Sequence, residues 1–118
     1  VISVRVFLHD ALGKYIRRLV SASRPYNAET EWLEHSPSAL VEEFVEMGGS
    51  PRATICWGRL VKVWALITHG RSEVYPDDIQ ELAKYVLGHR LWLAPQASAQ
   101  QLSVETIIND IIAQVPIP

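Results

Sequence analysis

Apolar residues recur every three or four positions in several segments of this chain, which is the spacing of one face of an α-helix. The first of these segments runs from Leu8 to Val20 and carries polar residues on its opposite side. We expect this helix to end near Ser23, because Pro25 disfavours helical backbone in the residue before it.

The long central segment is apolar around most of its circumference between Ile55 and Ile67. Two glycines precede it, Ser50 can cap a helix, and proline suits the first helical position, so a helix is predicted to begin at Pro51. Gly70 is well placed to end it. A helix that is apolar on nearly all sides is typical of a central helix contacted from several directions.

Two further apolar stripes predict a helix that begins at Pro76 and a last helix that Ser103 caps and Pro116 stops. Stripes of this kind must pack on one another and on the central helix. The pattern therefore predicts one domain, residues 1–118, with an all-α fold: a compact bundle of four to five helices with at most a very short strand pair.

Shorter elements lie between these helices. Ser36-Pro37 offers a cap and first position for a short helix that should stop at Gly48. Residues 90–93 are expected to be extended, beside residues 1–4 or 73–75. The tryptophan in this extended segment could belong to the core or to a subunit contact.

Composition narrows the class of protein. Of the 118 residues 48% are apolar and 20% are charged, with a net charge of −2, which is typical of a globular protein and argues against a nucleic-acid partner. Arg59 and Lys62 interrupt the longest apolar run, so no membrane span is expected. One cysteine, Cys56, excludes an internal disulfide, fits a reducing compartment and is expected to be buried. Because the chain starts at Val1 without Met, we expect it to be a piece of a longer polypeptide.

Arg52 is the most informative candidate for chemistry. Pro51 places it in the first helical turn, beside unpaired backbone N–H groups and the positive end of the helix dipole. A guanidinium there gains from an anion, and a phosphate matches its geometry best. Spacing alone leaves a second interpretation open, in which Arg52 is a surface cation paired with a carboxylate of Glu42, Glu43 or Glu46.

The sequence gives little support for a metal site, a catalytic nucleophile or a nucleic-acid interface. No metal site is expected, since none of the four histidines has ligand spacing with Cys56: His9, His35, His69 and His89. The chain lacks both a nucleophile turn of the Gly-x-Ser-x-Gly type and a phosphate-binding loop. One basic stripe could enter a nucleic-acid groove, but the negative net charge favours a solvated surface there: Lys14, Arg17 and Arg18.

Several ordered motifs resemble those of MoxR-like AAA+ ATPases. Met47–Ala53 is similar to the family's Gly-Ala-Ser-Pro-Arg-Ala signature. Upstream, Ile16–Pro25 resembles a Tyr-Ile-x-x-Leu-Val-x-Ala-Thr-Arg-Pro segment, with Ser23 in the place of Thr. The other matches follow downstream in the family's order: Gly70-Arg71, Tyr75–Ile79, Val86–Leu91 and Val115–Pro118.

The resemblance implies that this chain is the C-terminal helical lid of such an ATPase, closing over ATP. Arg52 would be the sensor-2 arginine that reaches the γ-phosphate, with Ser50 and Pro51 beside it. The phosphate loop and the carboxylates that hold Mg²⁺ would lie in a preceding large subdomain, so the lid alone should hydrolyse no ATP. The parent would be cytoplasmic and hexameric, with the lid against its own large subdomain and neighbouring subunits. It would couple ATP hydrolysis to remodelling or maturation of partner proteins.

The sequence departs from the family pattern at three places. Gly49 replaces Ala, Tyr75 replaces a capping Thr and so weakens the start of its helix, and the acidic stretch 27–45 is longer than expected. A different class of function also stays open, namely a stand-alone helical module that binds proteins or nucleic acid and uses Arg52 as a plain surface cation. A phosphate-binding loop encoded upstream of Val1 would distinguish the two.

Overall fold

The structure is a computed structural model and describes residues 6–25 and 38–118. These ranges contain six helices and one two-stranded antiparallel sheet, which confirms the predicted all-α fold with a very short strand pair. The expected loop at 27–36, the predicted cap at Ser36 and residues 1–4 lie outside them. The elements are α1 (Asp10–Ala22), α2 (Ala39–Phe44), β1 (Val45–Met47), α3 (Pro51–His69), α4 (Pro76–Leu87), β2 (Trp92–Leu93), α5 (Pro95–Ala99) and α6 (Val104–Gln114).

The long helices begin and end where their capping residues predict. α3 starts at Pro51 and ends at Gly70, whose positive φ of 63° places it in the left-handed region that glycine adopts readily. α4 starts at Pro76. The start of α6 is capped by the Ser103 Oγ, which accepts a hydrogen bond from the Thr106 backbone N at 3.2 Å.

The core forms where α3 packs between α1 and α4, with α6 closing the bundle against α4, α2 and α1. Trp57 of α3 is fully buried, and its Nε1 donates a hydrogen bond to the Ile79 carbonyl of α4 at 3.1 Å. The Nε2 of Gln80 donates to the Tyr15 hydroxyl at 3.1 Å and so links α4 to α1. Polar atoms of buried aromatic residues are thus paired across helices, which fixes how the helices are placed relative to one another.

The second helix differs from the prediction. It begins at Ala39, where the Ser38 Oγ accepts from the Val41 N at 3.3 Å, and it ends at Phe44 rather than near Gly48. The chain then becomes extended, because its next residues pair with a distant segment instead of continuing the local helix.

That distant segment is β2. Val45 lies opposite Leu93 and Met47 opposite Trp92, with an irregularity in the register between them. Residues 92–93 are extended as predicted, but their expected pairing with 73–75 is wrong. Glu73 instead bridges to Phe7 in a parallel arrangement.

Trp92 is 65% exposed, so it is not a core residue. The short helix α5 was not predicted. Within the described residues, no helix combines the length and the apolar character that crossing a membrane would require.

α3 is a central helix contacted on several sides, as expected, because it packs between α1 and α4; within the described residues, however, part of its apolar surface stays uncovered. Its buried residues form a single stripe: Ala53, Trp57, Val61 and Ala65. On the other side, large apolar side chains are exposed, with exposed fractions of 58% for Ile55, 44% for Leu60, 52% for Val63 and 76% for Ile67. The apolar circumference of α3 therefore exceeds what the described part of the chain covers.

Candidate functional site

The loop that leads into α3 lies directly on the end of α1. A Cβ added at Gly48 would stand 2.1 Å from the Ser23 carbonyl oxygen, so the approach requires glycine. The next residue, Gly49, donates its backbone N–H to the Ser23 Oγ at 2.9 Å. Ser23 is fully buried and donates in turn to the Val20 carbonyl at 2.5 Å. These contacts fix the start of α3 relative to α1.

Ser50 occupies the N-cap position of α3, but its side chain makes no capping hydrogen bond, so that part of the prediction is wrong. The residue is exposed, and water can satisfy its hydroxyl. Its backbone carbonyl accepts from the Ala53 N at 2.9 Å. Pro51 at the first helical position and the Ser23–Gly49 contact define the helix start without a side-chain cap.

Arg52 is exposed in the first turn of α3. Within residues 6–25 and 38–118 its guanidinium has no hydrogen bond or ion pair, and the alternative pairing with Glu42, Glu43 or Glu46 does not form there. It lines an open groove of about 380 Å³ together with Ile55, Cys56, Arg59 and Leu60. Cys56 is half-buried there rather than buried as expected.

A second polar cluster lies at the other end of α3, where it meets α4. The buried carboxylate of Asp78 accepts from the Arg71 Nη2 at 2.6 Å and from the Tyr75 backbone N at 2.8 Å. The Arg71 guanidinium also stacks over the Tyr75 ring, 4.0 Å from its centroid. The start of α4 is therefore held by Asp78, and the weak start expected from Tyr75 is not observed.

This cluster extends outward through three side chains that the sequence analysis did not connect. The His69 Nε2 lies 3.1 Å from the Glu81 Oε2 and 3.4 Å from the Asp78 Oδ1, and the Trp64 Nε1 donates to the Glu81 Oε2 at 2.5 Å. The hydrogen bond from Trp64, followed by that from His69, lowers the pKa of the Glu81 carboxyl below its ordinary value of 4.5.

His69, Asp78 and Glu81 bring three possible metal-ligand atoms within 4.8 Å of one another. However, the Arg71 guanidinium already donates to Asp78 and the Trp64 N–H to Glu81. The positive charge of Arg71 beside Asp78 would repel a metal cation bound there. The expectation of no metal site stays a prediction. The three-residue spacing of Asp78 and Glu81 on one helix face was the available signal for this cluster.

Comparison with known proteins identifies the family of this chain. Residues 38–111 match the family described as the AAA lid domain. The chain belongs to the AAA lid domain family. The lid domain is 35% identical over 117 residues to the chaperone MoxR1 of Mycobacterium tuberculosis, covering 99% of this chain and 29% of MoxR1. It is 33% identical over 109 residues to the uncharacterized protein YeaC of Bacillus subtilis, covering 92% of this chain and 29% of YeaC.

A crystal structure agrees with this assignment. The protein is a provisionally assigned ATPase from Cytophaga hutchinsonii. Its structure aligns with 97% of the lid domain, with a TM-score of 0.79 and 35% sequence identity. The lid domain covers 32% of that chain and 29% of the two curated relatives, so it spans about a third of their length. These matches confirm the resemblance to MoxR-like AAA+ ATPases.

The three predicted site residues of the lid domain are consecutive at the start of α3, with Pro51 at the first helical position and Arg52 exposed and unpaired among the described residues. The part that Ser23 plays in holding that start was not predicted from the sequence. The available signal was its position in the Ile16–Pro25 segment, where the family carries another hydroxyl residue. Nothing in local spacing connects it to Gly49, which lies 26 residues away.

Proposed function

We propose that this lid domain closes over ATP bound by the rest of an AAA+ ATPase polypeptide, and that Arg52 contacts the γ-phosphate as the sensor-2 arginine. One observation carries the proposal. The Arg52 guanidinium is exposed at the N-terminus of a long helix, without a partner among the described residues, while the backbone beneath it is held through Gly49 and Ser23.

The chemistry of this position favours an anion with several oxygens. A guanidinium presents a planar fork of donors that can bind two phosphate oxygens at once. The N-terminus of α3 adds unpaired backbone N–H groups and a positive dipole end. Ser50 and Pro51 set the direction of this first turn, and we propose that both lie beside the nucleotide.

Such a contact would make the lid position depend on the nucleotide. Arg52 can stabilise negative charge that develops on the transferred phosphoryl group. When the γ-phosphate leaves, this contact is lost, and the closed position of the lid is less stable. Because Gly49 is bonded to Ser23, a shift of the α3 start would be transmitted to α1.

The lid domain offers a cation and a helix N-terminus for nucleotide phosphates, which fits one side of an ATP site. We propose that the phosphate-binding loop and the Mg²⁺ ligands belong to the rest of the polypeptide. ATP, when bound with Mg²⁺, supplies the phosphoanhydride bond whose hydrolysis drives the protein. The lid domain alone should hydrolyse none.

For the whole protein we propose chaperone-like remodelling or maturation of partner proteins, driven by ATP hydrolysis in a cytoplasmic hexameric ring. The similarity to MoxR1, which is named a chaperone, supports this. In such a ring the lid domain would contact its own large subdomain and a neighbouring subunit.

ATP turnover of the full-length protein tests the assignment of Arg52. Arg52→Ala should lower turnover by about 10²-fold or more, the effect of removing one preorganised donor from a charged transition state. Arg18→Ala is the matched control, because it removes an exposed arginine from α1. Wild-type turnover in the Arg52 variant would refute the assignment.

A further inference from the structure

Arg24 follows Ser23 at the end of α1 and lies against the loop that leads into α3. Its backbone N donates to the Ser21 carbonyl at 3.1 Å, which continues the turn at the helix end. A Cβ added at Gly48 would stand 2.8 Å from the Arg24 Cα, so the two backbones are in contact. The side chain of Arg24 therefore starts beside the loop from which Arg52 projects.

The guanidinium of Arg24 lacks the acceptors that it needs. In the described part of the chain, its Nε is the one buried side-chain nitrogen or oxygen without a hydrogen-bond partner, and the group makes no ion pair there. The residue as a whole is half-buried, so the other end of the guanidinium reaches the surface. A buried donor without an acceptor is costly, and a charged one more so, which indicates that an acceptor is bound there when the protein works.

Two arginines without carboxylate partners among the described residues thus flank the same loop, Arg24 from α1 and Arg52 from α3. Gly48 and Arg52 are four residues apart, a span of at most about 14 Å, so the ends of both arginine side chains can approach one anion. Like charges on the two sides of one loop repel each other. An anion with several negative charges between them would replace this repulsion with attraction.

We propose that Arg24 is a second phosphate-binding residue of the lid domain, which contacts the phosphate next to the one that Arg52 contacts. The inference rests on the proposed function, because it needs a nucleotide at the start of α3. If Arg52 takes the γ-phosphate, the oxygens next to it belong to the β-phosphate, which ADP also carries. Rotation of the Arg24 side chain would bring Nε and one terminal nitrogen to two of these oxygens, so that the buried donor gains its acceptor.

A carboxylate or carbonyl elsewhere in the polypeptide is the other source of an acceptor for Nε. The two sources differ in what the guanidinium does when no nucleotide is bound. With a protein acceptor, Arg24 stabilises the fold, so its removal destabilises the nucleotide-free protein. With a phosphate acceptor, Nε stays unpaired until the nucleotide binds. Removal of the guanidinium then weakens nucleotide binding and leaves the nucleotide-free protein as stable as before.

Calorimetry and thermal unfolding of the full-length protein separate these two sources. Arg24→Met keeps an unbranched stem and removes the guanidinium. Arg18→Met is the matched control, because it makes the same change at an exposed position of α1. The affinities for ADP and for a non-hydrolysable ATP analogue, both with Mg²⁺, are measured for the wild type and each variant. The midpoint of thermal unfolding is measured without nucleotide.

Arg24→Met should lose at least about tenfold in affinity for both ADP and the ATP analogue, and should unfold at the wild-type temperature. Arg18→Met should match the wild type in all three measurements. Unchanged ADP affinity in Arg24→Met would overturn the proposal. If its unfolding temperature is also lower, the acceptor of Nε belongs to the protein.

Arg24→Lys keeps the proposal testable if Arg24→Met does not fold, or if it loses both stability and affinity. Lysine retains the charge but not the Nε donor or the planar fork. Arg24→Lys should still lose about threefold or more in affinity for ADP at the wild-type unfolding temperature. Wild-type ADP affinity in Arg24→Lys would overturn the proposal.

The Arg52→Ala variant separates this inference from the proposed function. If Arg52→Ala weakens binding of the ATP analogue alone and Arg24→Met weakens neither nucleotide, the role of Arg24 is refuted and that of Arg52 is kept. If Arg24→Met weakens both nucleotides and Arg52→Ala weakens neither, the role of Arg52 is refuted and the phosphate contact of Arg24 is supported.

Discussion

The Ser23 hydroxyl accepts a hydrogen bond from the Gly49 backbone N at 2.9 Å, across 26 residues of sequence. It links the end of α1 to the loop from which Arg52 projects three residues later. Because Ser23 is fully buried and also donates to the Val20 carbonyl, its hydroxyl has a fixed direction. The position of Arg52 therefore depends on α1 as well as on its own helix.

Replacing Ser23 with alanine should destabilise the lid domain by about 1–3 kcal/mol, because the buried Gly49 N–H would lose its acceptor. Urea unfolding measures this change in the free energy of unfolding. Ser23→Thr keeps the hydroxyl and should lose less. Ser21→Ala, at an exposed position of α1, serves as the control and should change stability by no more than about 0.5 kcal/mol. Equal stabilities for Ser23→Ala and Ser21→Ala would contradict the structural role of the Ser23 hydroxyl.

The two glycines before Ser50 should differ in their tolerance of alanine. At Gly48 the new Cβ would meet the Ser23 backbone oxygen at 2.1 Å, which cannot be relieved by a side-chain movement. At Gly49 the nearest atoms stand at 3.3 Å and belong to the side chains of Leu87, Ser23 and Val20. Gly48→Ala should therefore cost about 3 kcal/mol or more, and Gly49→Ala about 1 kcal/mol or less. Thermal unfolding of both variants gives the comparison, and a reversed order would show that the loop does not lie on α1.

The long helices were predictable because each carries its own boundary chemistry. Pro51, Gly70 and Ser103 act within one or two turns of the chain, so local sequence is enough to place α3 and α6. Val45–Met47 could not be placed in this way. Its apolar residues fit a helix locally, and only pairing with Trp92–Leu93 makes the segment extended.

Trp57 and Trp92 offer a contrast between a buried and an exposed indole. Trp57→Phe removes the hydrogen bond to the Ile79 carbonyl and leaves a small void in the core, so it should cost about 1–3 kcal/mol. Trp92→Phe should change stability by about 0.5 kcal/mol at most, since that side chain is largely exposed. Unfolding in urea separates the two, and a loss in Trp92→Phe as large as in Trp57→Phe would show that β2 is packed differently.

The pKa of the Glu81 carboxyl should be below 4.5 in the folded protein and rise in Trp64→Phe, which removes the first cause of its lowering. A lowered folded pKa means that Glu81 stabilises the fold above the unfolded pKa and that this contribution is lost as the pH falls through the folded value. The effect on stability should be small, because the side chain is 39% exposed. Titration by carboxyl-carbon NMR measures the Glu81 pKa in the wild type and in Trp64→Phe, and Trp92→Phe is the control. No rise in Trp64→Phe would rule out the indole as the cause.

The candidate site was predictable only in part. The Pro51-Arg52 order follows from helix-start preferences, and the likeness to MoxR-like ATPases adds the phosphate role that we propose for Arg52. The role of Ser23 and the exposed apolar side of α3 were not predicted. The first depends on a contact across 26 residues, and the second on which sides of α3 the fold covers. Apolar periodicity shows that a helix face needs a partner, but it does not say whether that partner is in the same chain.

The central claim is that Arg52 contacts the γ-phosphate, and the most direct test compares ATP with ADP. The affinities of the full-length protein for a non-hydrolysable ATP analogue and for ADP are measured by calorimetry in the wild type, Arg52→Ala and the control Arg18→Ala. Arg52→Ala should lose at least about tenfold in affinity for the ATP analogue, or about 1.4 kcal/mol, and keep its affinity for ADP. An equal change for both nucleotides, or no change for either, would contradict a γ-phosphate contact.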